Sequence, residues 1–408
     1  MSEWKEYKLG DIATYVNRGI APKYVVNDGI PVINQKCIRS GNISNEFLKY
    51  HNKEKNHSPE KKLIEGDILI NSTGVGTAGR VGLFLLNDYT LADSHVSILR
   101  LNKREAVPQY VFYNLRNRED ELENTAEGST GQIELKRDGI KDLDILLPPL
   151  PEQRAIASVL SSLDDKIDLL HRQNTTLEAM AETLFRQWFV EEAEEEWEEG
   201  KLGDYINVKH GYAFKGKFIT TGKNNQILVT PGNFKIGGGF KVGKMKYFME
   251  SDYPKDYIFS SDDLIVTMTD LSNDGDTLGY SALIPEHNQD EVLYLHNQRV
   301  GKVEFKKNVN KYFFYYLMKT DDYQLFILGG ASGTSIRHTS PTSICSYPFK
   351  VPPMKRIEEF DAVVSELISK VHKNQNQIRT LEKLRDTLLP KLMSGEVRIE
   401  IGGIKYEN

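Results

Sequence analysis

Two segments of the chain carry apolar side chains at a spacing that alternates between four residues and three. The first runs from Ile156 to Trp188 and the second from Phe360 to Leu392, and each position of the second lies 204 residues after its counterpart. This spacing repeats every seven residues and places the apolar side chains in one seam along a helix. The pattern therefore predicts two long helices. Packing of each helix on its own globular block is one alternative, and two matched seams of equal length favour pairing with each other.

A polar residue interrupts each seam near its centre. If the helices pair antiparallel about residues 172 and 376, Asn174 faces Asn374, and a buried Asn pair fixes register at some cost in stability. Such helices would be about 57 Å long, enough to hold two blocks one or two turns of DNA apart. The residues predicted to pair the helices are Asn174, Asn374, Leu163, Ile167, Leu170, Leu367, Val371 and Ile378.

Each helical segment follows a block rich in β-branched and aromatic residues and punctuated by Gly, Asn and Asp, a composition that predicts strands and turns. The two blocks repeat one another. "EWKEYKLGDI" at residue 3 returns as "EWEEGKLGDY" at 196, "GDILINSTG" at 66 returns as "DDLIVTMTD" at 262, and "LPPLPEQRAI" at 147 returns as "VPPMKRIEEF" at 351. The Pro-Pro pairs cannot continue a strand ladder and fit just ahead of a helix. The repeats indicate two copies of one α+β fold.

The repeats and the Pro-Pro pairs also set the predicted domain boundaries. These are a first β-rich domain at 1–147, a first helix at 148–190, an acidic linker at 191–199, a second β-rich domain at 200–351, a second helix at 352–393 and a C-terminal tail at 394–408.

The net charge of −6 comes mainly from one segment, since residues 147–199 carry 4 Lys and Arg against 13 Asp and Glu. The two β-rich blocks are close to neutral and hold enough Lys and Arg to gather on one face, so the net charge does not exclude a nucleic-acid partner. We interpret the acidic tract as a solvated linker in preference to a docking surface or a DNA mimic.

The chain lacks the signatures of several other classes. Cys37 and Cys345 lie far apart, and no His or Cys spacing indicates a metal site. No apolar run is long enough for a secretory signal or a membrane span, so we expect a cytoplasmic protein without a membrane partner. Neither Pro-Pro pair has the Asn and aromatic flanks of an adenine-methylating site.

A glycine motif, Gly74-x-Gly76-x-x-Gly79, follows a predicted strand and has the outline of a dinucleotide-binding fingerprint. A helix should come next in that fold, but "RVGLFLLND" alternates and predicts a strand. We interpret the motif as a hairpin connection that brings backbone close to a phosphate. A Walker-like match, "GGFKVGKM" at 238–245, has Met245 where Ser or Thr belongs. A nucleotide-dependent enzyme and a non-catalytic coiled-coil scaffold are the alternative functions.

The chain resembles the specificity subunit of type I restriction-modification systems. The resemblance is carried by the W-x-x-x-x-L-G-D start of each block, the "GDILI" strand, the "LPPLPEQ-x-x-I" boundary and the ending "LRDTLLPKLMSGEVRI" at 384–399. The second copy departs from the boundary motif as "VPPMKRIEE", so there the likeness depends on the 204-residue register.

The resemblance implies an assembly with a DNA-binding role. Each β-rich block would be a target recognition domain that reads one half of a split double-stranded DNA sequence. The two domains would have a pseudo-two-fold arrangement, with the helices between them as an antiparallel coiled coil that sets the spacer. The helices would dock two methylation subunits, which recruit restriction subunits. The chain would be non-catalytic and hold no cofactor, with S-adenosylmethionine, ATP and Mg²⁺ on the partner subunits.

Sequence readout requires donors and acceptors at base edges, supported by phosphate contacts from Lys, Arg and backbone amides. The candidates in the first block are Arg18, Lys23, Tyr24, Asn34, Gln35, Lys36, Arg39, Asn71, Ser72, Thr73, Arg80 and His95. Those in the second are His210, Tyr212, Lys215, Asn233, Lys235, Thr267, Thr269, Gln298, Arg299, Arg337 and His338. The pattern is most specific where the copies differ in the same frame, as at His95 and Arg299.

Overall fold

Contacts divide the chain into two units, and both long helices contribute residues to each. A computed structural model describes residues 4–86, 88–127, 133–243, 245–270, 275–306, 311–333 and 336–399. Unit 1 comprises Met1–Asp168 with Arg379–Asn408, and unit 2 comprises Leu169–Ile378. The helices of the described residues are α1 (Leu9–Ile12), α2 (Pro108–Arg116), α3 (Glu119–Thr125), α4 (Arg137–Lys141), α5 (Leu150–Arg186), α6 (Lys311–Leu317), α7 (Asp321–Gly329), α8 (Pro341–Cys345) and α9 (Met354–Ser394).

Unit 1 contains two four-stranded sheets, in the orders β2-β11-β8-β9 and β10-β4-β7-β3, with two small ladders, β1-β12 and β5-β6. The strands are β1 (Lys5–Lys8), β2 (Ala13–Arg18), β3 (Tyr24–Val25), β4 (Ile30–Ile33), β5 (Ile38–Arg39), β6 (Asn42–Ile43), β7 (Lys49–His51), β8 (Ile68–Asn71), β9 (Val81–Leu83), β10 (Leu91–Ala92), β11 (Val96–Leu101) and β12 (Asp144–Leu147). Neighbouring strands are antiparallel except β10 and β4, which are parallel.

Unit 2 repeats this plan, with sheets β14-β23-β19-β21 and β15-β17-β16-β22-β18 and the ladders β13-β25 and β20-β24. Its strands are β13 (Glu199–Lys201), β14 (Ile206–His210), β15 (Ile219–Thr220), β16 (Gln226–Val229), β17 (Lys246–Phe248), β18 (Ile258–Phe259), β19 (Leu264–Thr267), β20 (Thr269–Asp270), β21 (Ser281–Leu283), β22 (Leu293–His296), β23 (Val300–Phe305), β24 (Arg337–His338) and β25 (Pro348–Lys350). The parallel pair of unit 1 has its counterpart in β16 and β22. The predicted α+β class and the two copies of one fold are confirmed.

The repeated motifs at the start and end of each block meet in space. β1 pairs with β12, so that Lys5 lies opposite Leu147, and β13 pairs with β25, so that Glu199 lies opposite Lys350. Each block therefore closes on itself just before its Pro-Pro pair.

In unit 2 the two helices pair antiparallel. Asn374 Nδ2 donates a hydrogen bond of 2.8 Å to Asn174 Oδ1, and both side chains are buried. Farther along α5, the ring of Phe185 lies 5.8 Å from that of Phe360, so residue numbers rise on one helix as they fall on the other. This is the Asn pairing that the antiparallel register predicted.

In unit 1 the same helices are held by an ionic cluster and an apolar core. Asp164 Oδ1 accepts a 2.8 Å hydrogen bond from Arg385, and Asp164 Oδ2 accepts 2.8 Å bonds from Arg116 and from the Tyr113 hydroxyl. Ile156 and Leu160 of α5 share a core with Leu389, Leu392 and Met393 of α9. The remaining predicted pairing residues are buried at Ile167, Leu170, Val371 and Ile378 and half-buried at Leu163 and Leu367.

The helices also pack on the sheets, so pairing and packing occur together. Phe185 of α5 and Ile357, Phe360 and Val364 of α9 belong to the core of unit 2, which includes Phe313. The compact units consequently divide within the helices rather than at the predicted boundaries near their ends. α5 ends near the predicted residue, since a π-helical turn, Gln187–Glu191, continues it, and α9 ends at Ser394. Residues 400–408 of the predicted tail lie outside the described residues.

The acidic tract at 191–199 is exposed at every residue except Trp197, as expected for a solvated linker, and contacts within unit 2 hold it at that one side chain. Trp197 is 6% exposed, and its ring lies 5.8 Å from the Arg356 guanidinium. Arg356 also pairs with Glu192 at 2.6 Å, and the Val351 amide donates to the Glu198 carbonyl. Burial of the large apolar surface of Trp197 stabilises this contact. No helix of the described residues is long and apolar enough to cross a membrane.

Candidate nucleic-acid interface

The strand order of unit 1 brings distant polar segments to one end of its first sheet. β2 ends at Arg18, which lies opposite Ser97 near the start of β11, and β8 ends at Asn71, opposite Val96. β9 begins at Val81, opposite Ile70. The chain just beyond these strand ends therefore collects 72–80 and His95 beside Arg18.

The second sheet of unit 1 adds its own strand end to this group. Ile33 ends β4 and pairs with Ala92, and the Asp93 amide donates to the Ile33 carbonyl at 2.9 Å. The Tyr24 hydroxyl, from β3, donates to Asp93 Oδ2 at 3.2 Å. Asn34, Gln35 and Lys36 thus reach the same place as His95.

Hydrogen bonds connect these residues into what we call the unit 1 strand-end cluster: Tyr24, Gln35, Thr73, Asp93 and His95. The Thr73 hydroxyl donates to Gln35 Oε1 at 3.1 Å and lies 2.9 Å from His95 Nδ1. Asp93 Oδ1 accepts from the His95 amide at 2.7 Å. Burial raises the pKa of the Asp93 carboxyl, and burial together with Asp93 raises the pKa of Tyr24.

Several predicted readers lie beneath this surface instead of on it. Asn34, Asn71 and Ser72 are 6%, 0% and 0% exposed. Asn34 Nδ2 donates to the Phe47 carbonyl at 2.6 Å, Asn71 Nδ2 to the Gln35 carbonyl at 3.0 Å, and the Ser72 hydroxyl pairs with that of Ser97. They support the strand ends from below, because buried polar groups need internal partners.

The predicted cations of unit 1 remain at the surface or pair locally. Lys23, Lys36 and Arg39 are exposed, and the Arg39 guanidinium lies 4.7 Å from the Phe47 ring. Arg18 pairs with Glu134 at 2.6 Å, and Arg80 donates to the Gly76 carbonyl at 2.5 Å.

The glycine motif forms the connection between two antiparallel strands, β8 and β9. Gly74, Gly76 and Gly79 all have positive φ, and a Cβ on Gly79 would lie 2.7 Å from the backbone nitrogen of Glu123. A strand follows the loop, so the helix N-terminus of a dinucleotide fold does not occur there. In the Walker-like match Lys244 lies outside the described residues, and the segment leads into β17 instead of a helix.

Unit 2 forms the corresponding group from different residues. His210 ends β14 opposite Gly301, and Thr267 ends β19 opposite Val300. The Arg299 amide donates to Asn297 Oδ1 at 3.0 Å, in the same turn that Asp93 makes with His95. The Thr269 hydroxyl lies 3.0 Å from His338 Nδ1.

An aromatic surface lies beside these strand ends. The Tyr212 amide donates to the His296 carbonyl, and the Tyr212 carbonyl accepts from Gln298 at 3.0 Å. The Tyr212 ring lies 5.4 Å from that of Tyr257, above which Lys209 Nζ is held at 5.2 Å. Gln298 and Arg299 are exposed.

The other predicted residues of unit 2 are divided between the interior and the surface. Asn233, Thr267 and Thr269 are 2%, 0% and 3% exposed, and Asn233 Oδ1 accepts from the Thr230 amide at 2.8 Å. Lys235 Nζ lies 3.9 Å from Glu178 on α5. Lys215 is exposed on the loop after β14, and Arg337 is half-buried on β24.

Two positions at the candidate interface escaped the sequence analysis: Asp93 and Asn297, which hold the backbone amide of the exposed residue two positions later. Both are short side chains whose oxygen accepts the backbone amide at position i+2, the geometry of an Asx turn. They occupy the same frame of the repeat, and this was the signal that could have found them.

Comparisons with known proteins agree with this repeated architecture. The family model described as the type I restriction modification DNA specificity domain matches residues 1–179 and again 194–384. The MjaVIII specificity subunit of a type I restriction enzyme from Methanocaldococcus jannaschii is 25% identical over 98% of this chain and 94% of its own length. The HindI specificity subunit from Haemophilus influenzae is 30% identical over 47% of this chain and 42% of its own.

A solved structure has the same fold. The S subunit of a type I restriction-modification system from M. genitalium superposes with a TM-score of 0.59, at 17% identity and 96% coverage of both chains. The architecture is thus that of a protein with two repeated specificity domains joined to long helices. The chain belongs to the type I restriction-modification DNA specificity family, as the sequence resemblance indicated.

Proposed function

We propose that this chain gives a type I restriction-modification complex its DNA sequence specificity and catalyses no step itself. The observation that carries the proposal is the strand-end group of each unit. The same strand ends and the same Asx turn present His95 in unit 1 and Arg299 in unit 2. One scaffold with different donors and acceptors is what two readers of different base sequences require.

Each unit would read one half of a bipartite target on double-stranded DNA. Exposed Lys and Arg side chains such as Lys36, Arg39 and Lys215 would contact phosphates, which sets orientation and affinity. Base edges would meet the exposed tips of His95, Gln298, Arg299 and His338. The buried Asn and Thr side chains would act only by holding these tips in place.

The paired helices would set the spacer between the half-sites and dock two methylation subunits, through which restriction subunits join. S-adenosylmethionine, ATP and Mg²⁺ would be bound by those partners and not by this chain. Support comes from the relatives, each named as one subunit of a type I restriction enzyme.

Methylome sequencing of a host carrying this chain with a methylation subunit tests the proposal. We expect one methylated motif made of two specified parts separated by a fixed gap. Replacing residues 200–351 by the matching segment of another family member should change only the second part. A contiguous motif, or methylation without sequence preference, would contradict the proposal.

A further inference from the structure

The Thr73 hydroxyl determines which nitrogen of the His95 ring carries a proton. It donates to Gln35 Oε1 at 3.1 Å, and His95 Nδ1 lies 2.9 Å from the same oxygen. A hydroxyl has one proton to donate, so toward His95 this oxygen can only accept. The neutral ring therefore carries its proton on Nδ1, and Nε2 is left with a lone pair.

Three hydrogen bonds to backbone groups hold the His95 ring in a position in which the Nε2 lone pair faces outward. Asp93 Oδ1 accepts from the His95 amide at 2.7 Å, and the His95 carbonyl accepts from the Ser72 amide at 2.8 Å. Asn71, which is fully buried, donates from Nδ2 to the Gln35 carbonyl at 3.0 Å and so fixes the Gln35 backbone. The His95 side chain is exposed, and no hydrogen bond to Nε2 occurs among the described residues.

An outward lone pair selects among base edges. In the major groove adenine and cytosine present an exocyclic amine, whereas guanine and thymine present a carbonyl oxygen at the corresponding position. We propose, on the basis of the proposed function, that His95 reads the exocyclic amine of an adenine or cytosine in the half-site of unit 1. Thr73 and Gln35 are its positioning residues.

Unit 2 contains the same hydroxyl–imidazole pair with the opposite polarity. Thr269 Oγ1 lies 3.0 Å from His338 Nδ1, and Thr269 is 3% exposed. No second acceptor for this hydroxyl occurs in the part of unit 2 that the structure describes, so it donates to Nδ1. His338 then presents an Nε2–H donor, which suits a guanine or thymine carbonyl.

The ring polarity is measurable without DNA. In the full-length chain labelled with ¹⁵N-histidine, at about pH 8.5 where imidazole is neutral, His95 should show a pyrrole-type Nδ1 and a pyridine-type Nε2. His338 should show the reverse, and His95→Gln and His338→Gln identify the signals. Gln35→Leu removes the acceptor, so the Thr73 proton should turn to Nδ1 and invert the His95 pattern, while Thr73→Ser should keep it. An unchanged pattern in Gln35→Leu would overturn the assignment.

The contact between His95 and the exocyclic amine is measurable with DNA that lacks this amine at one base. The chain assembled with its methylation subunits is bound to target duplexes in which purine replaces one adenine, or pyrimidin-2-one one cytosine, of the first half-site. At one position the loss of the amine should weaken wild-type binding about 10- to 100-fold. His95→Ala should weaken the unmodified duplex by a similar factor, with no further loss on the modified one.

Controls separate the inference from the proposed function. Where that base is adenine, 7-deazaadenine removes only N7 and should affect wild type and His95→Ala equally, and the second half-site should be read normally by both. If His95→Ala and removal of the amine weaken binding independently at every position, so that the two factors multiply, His95 does not contact the amine. The chain would in that case still bind a specific DNA sequence. A wild-type assembly that prefers no sequence would contradict the proposed function itself.

Discussion

At the scale of single residues, burial separates the side chains that hold a surface from those that form it. Asn71 and Thr73 lie two residues apart, yet Asn71 is fully buried while Thr73 is half-buried and reaches exposed His95. A buried amide without a partner costs about 1–3 kcal/mol, so Asn71 serves the backbone of Gln35. The exposed His95 at the strand end is therefore supported in part by side chains that are themselves buried, such as Asn71 and Asp93.

Asp361 of α9 gives a residue-scale prediction about pH. It is 5% exposed and accepts from the amides of Tyr312 and Phe313 in the first turn of α6, and burial raises its pKa to about 6 from an ordinary 3.8. The folded protein thus keeps this proton to higher pH than the unfolded chain. Its contribution to stability is present below pH 3.8 and is lost as pH rises through about 6.

We expect the free energy of unfolding of wild type to fall relative to Asp361→Asn by about 3 kcal/mol between about pH 4 and 7. Urea denaturation of both proteins at several pH values checks this. Glu366→Gln, an exposed change on the same helix, is the control and should follow wild type. If the free energies of unfolding of wild type and Asp361→Asn change with pH in parallel, burial does not raise the pKa of the Asp361 carboxyl.

At the scale of elements, α5 and α9 are paired by different chemistry in each unit. Unit 2 has one buried amide pair, Asn174 and Asn374, among apolar neighbours, whereas unit 1 has the ionic cluster at Asp164. A buried polar pair is satisfied in one register only, so it selects that register over neighbouring ones.

Replacing both Asn174 and Asn374 by Leu should raise the free energy of unfolding by about 1 kcal/mol, because it removes two buried amides together. The same change should allow several registers, seen as a broadened distance distribution between spin labels at Thr176 and Lys373. Asn374→Leu alone should destabilise the protein, since it leaves the Asn174 amide unpaired. A single narrow distance in the double variant would refute the register role.

Asp164→Ala should lower the free energy of unfolding by about 2 kcal/mol, because it leaves the half-buried guanidiniums of Arg116 and Arg385 without their shared anion. Thermal and urea unfolding measure the loss. Asp165→Ala, its exposed neighbour on α5, should change stability by less than about 0.5 kcal/mol. Equal effects of the two substitutions would mean that the cluster contributes nothing specific.

At the scale of the whole molecule, both helices run through both compact units. Each unit is thus completed by residues from two distant parts of the chain, as Asp164 and Arg385 are in unit 1. The proposed spacer function depends on the length of these helices.

Inserting seven residues after Asp168 in α5 and seven after Ile378 in α9 keeps the heptad seam and lengthens the pair by about 10.5 Å. We expect the gap in the methylated motif to grow by about three base pairs, at about 3.4 Å per pair. Methylome sequencing measures the gap. An insertion in one helix only leaves seven residues without partners and should abolish specific methylation, while an unchanged gap in the double insertion would contradict the spacer role.

Local features were predictable from the sequence. The seam from Ile156 to Trp188 predicts α5, because 3.6-residue periodicity is a property of the helical backbone and repeats within a few turns. The strand on each side of the glycine motif and the two copies of one fold follow from similarly local patterns. So does the facing of Asn174 and Asn374, once the helices are assumed antiparallel.

Tertiary structure alone decided what depends on residues far apart in the chain. No local pattern relates the segments that bury Asn71 fully and Thr73 only in part, that bring Gln35, Thr73 and His95 together, or that pack Trp197 against Arg356. Which side chains are buried depends on which surfaces of the fold pack together. The sequence around a polar residue in a strand does not show whether its side chain lies on the buried or the exposed face of the sheet. The sequence determined the elements and their repetition, and the long-range contacts determined which side chains face outward.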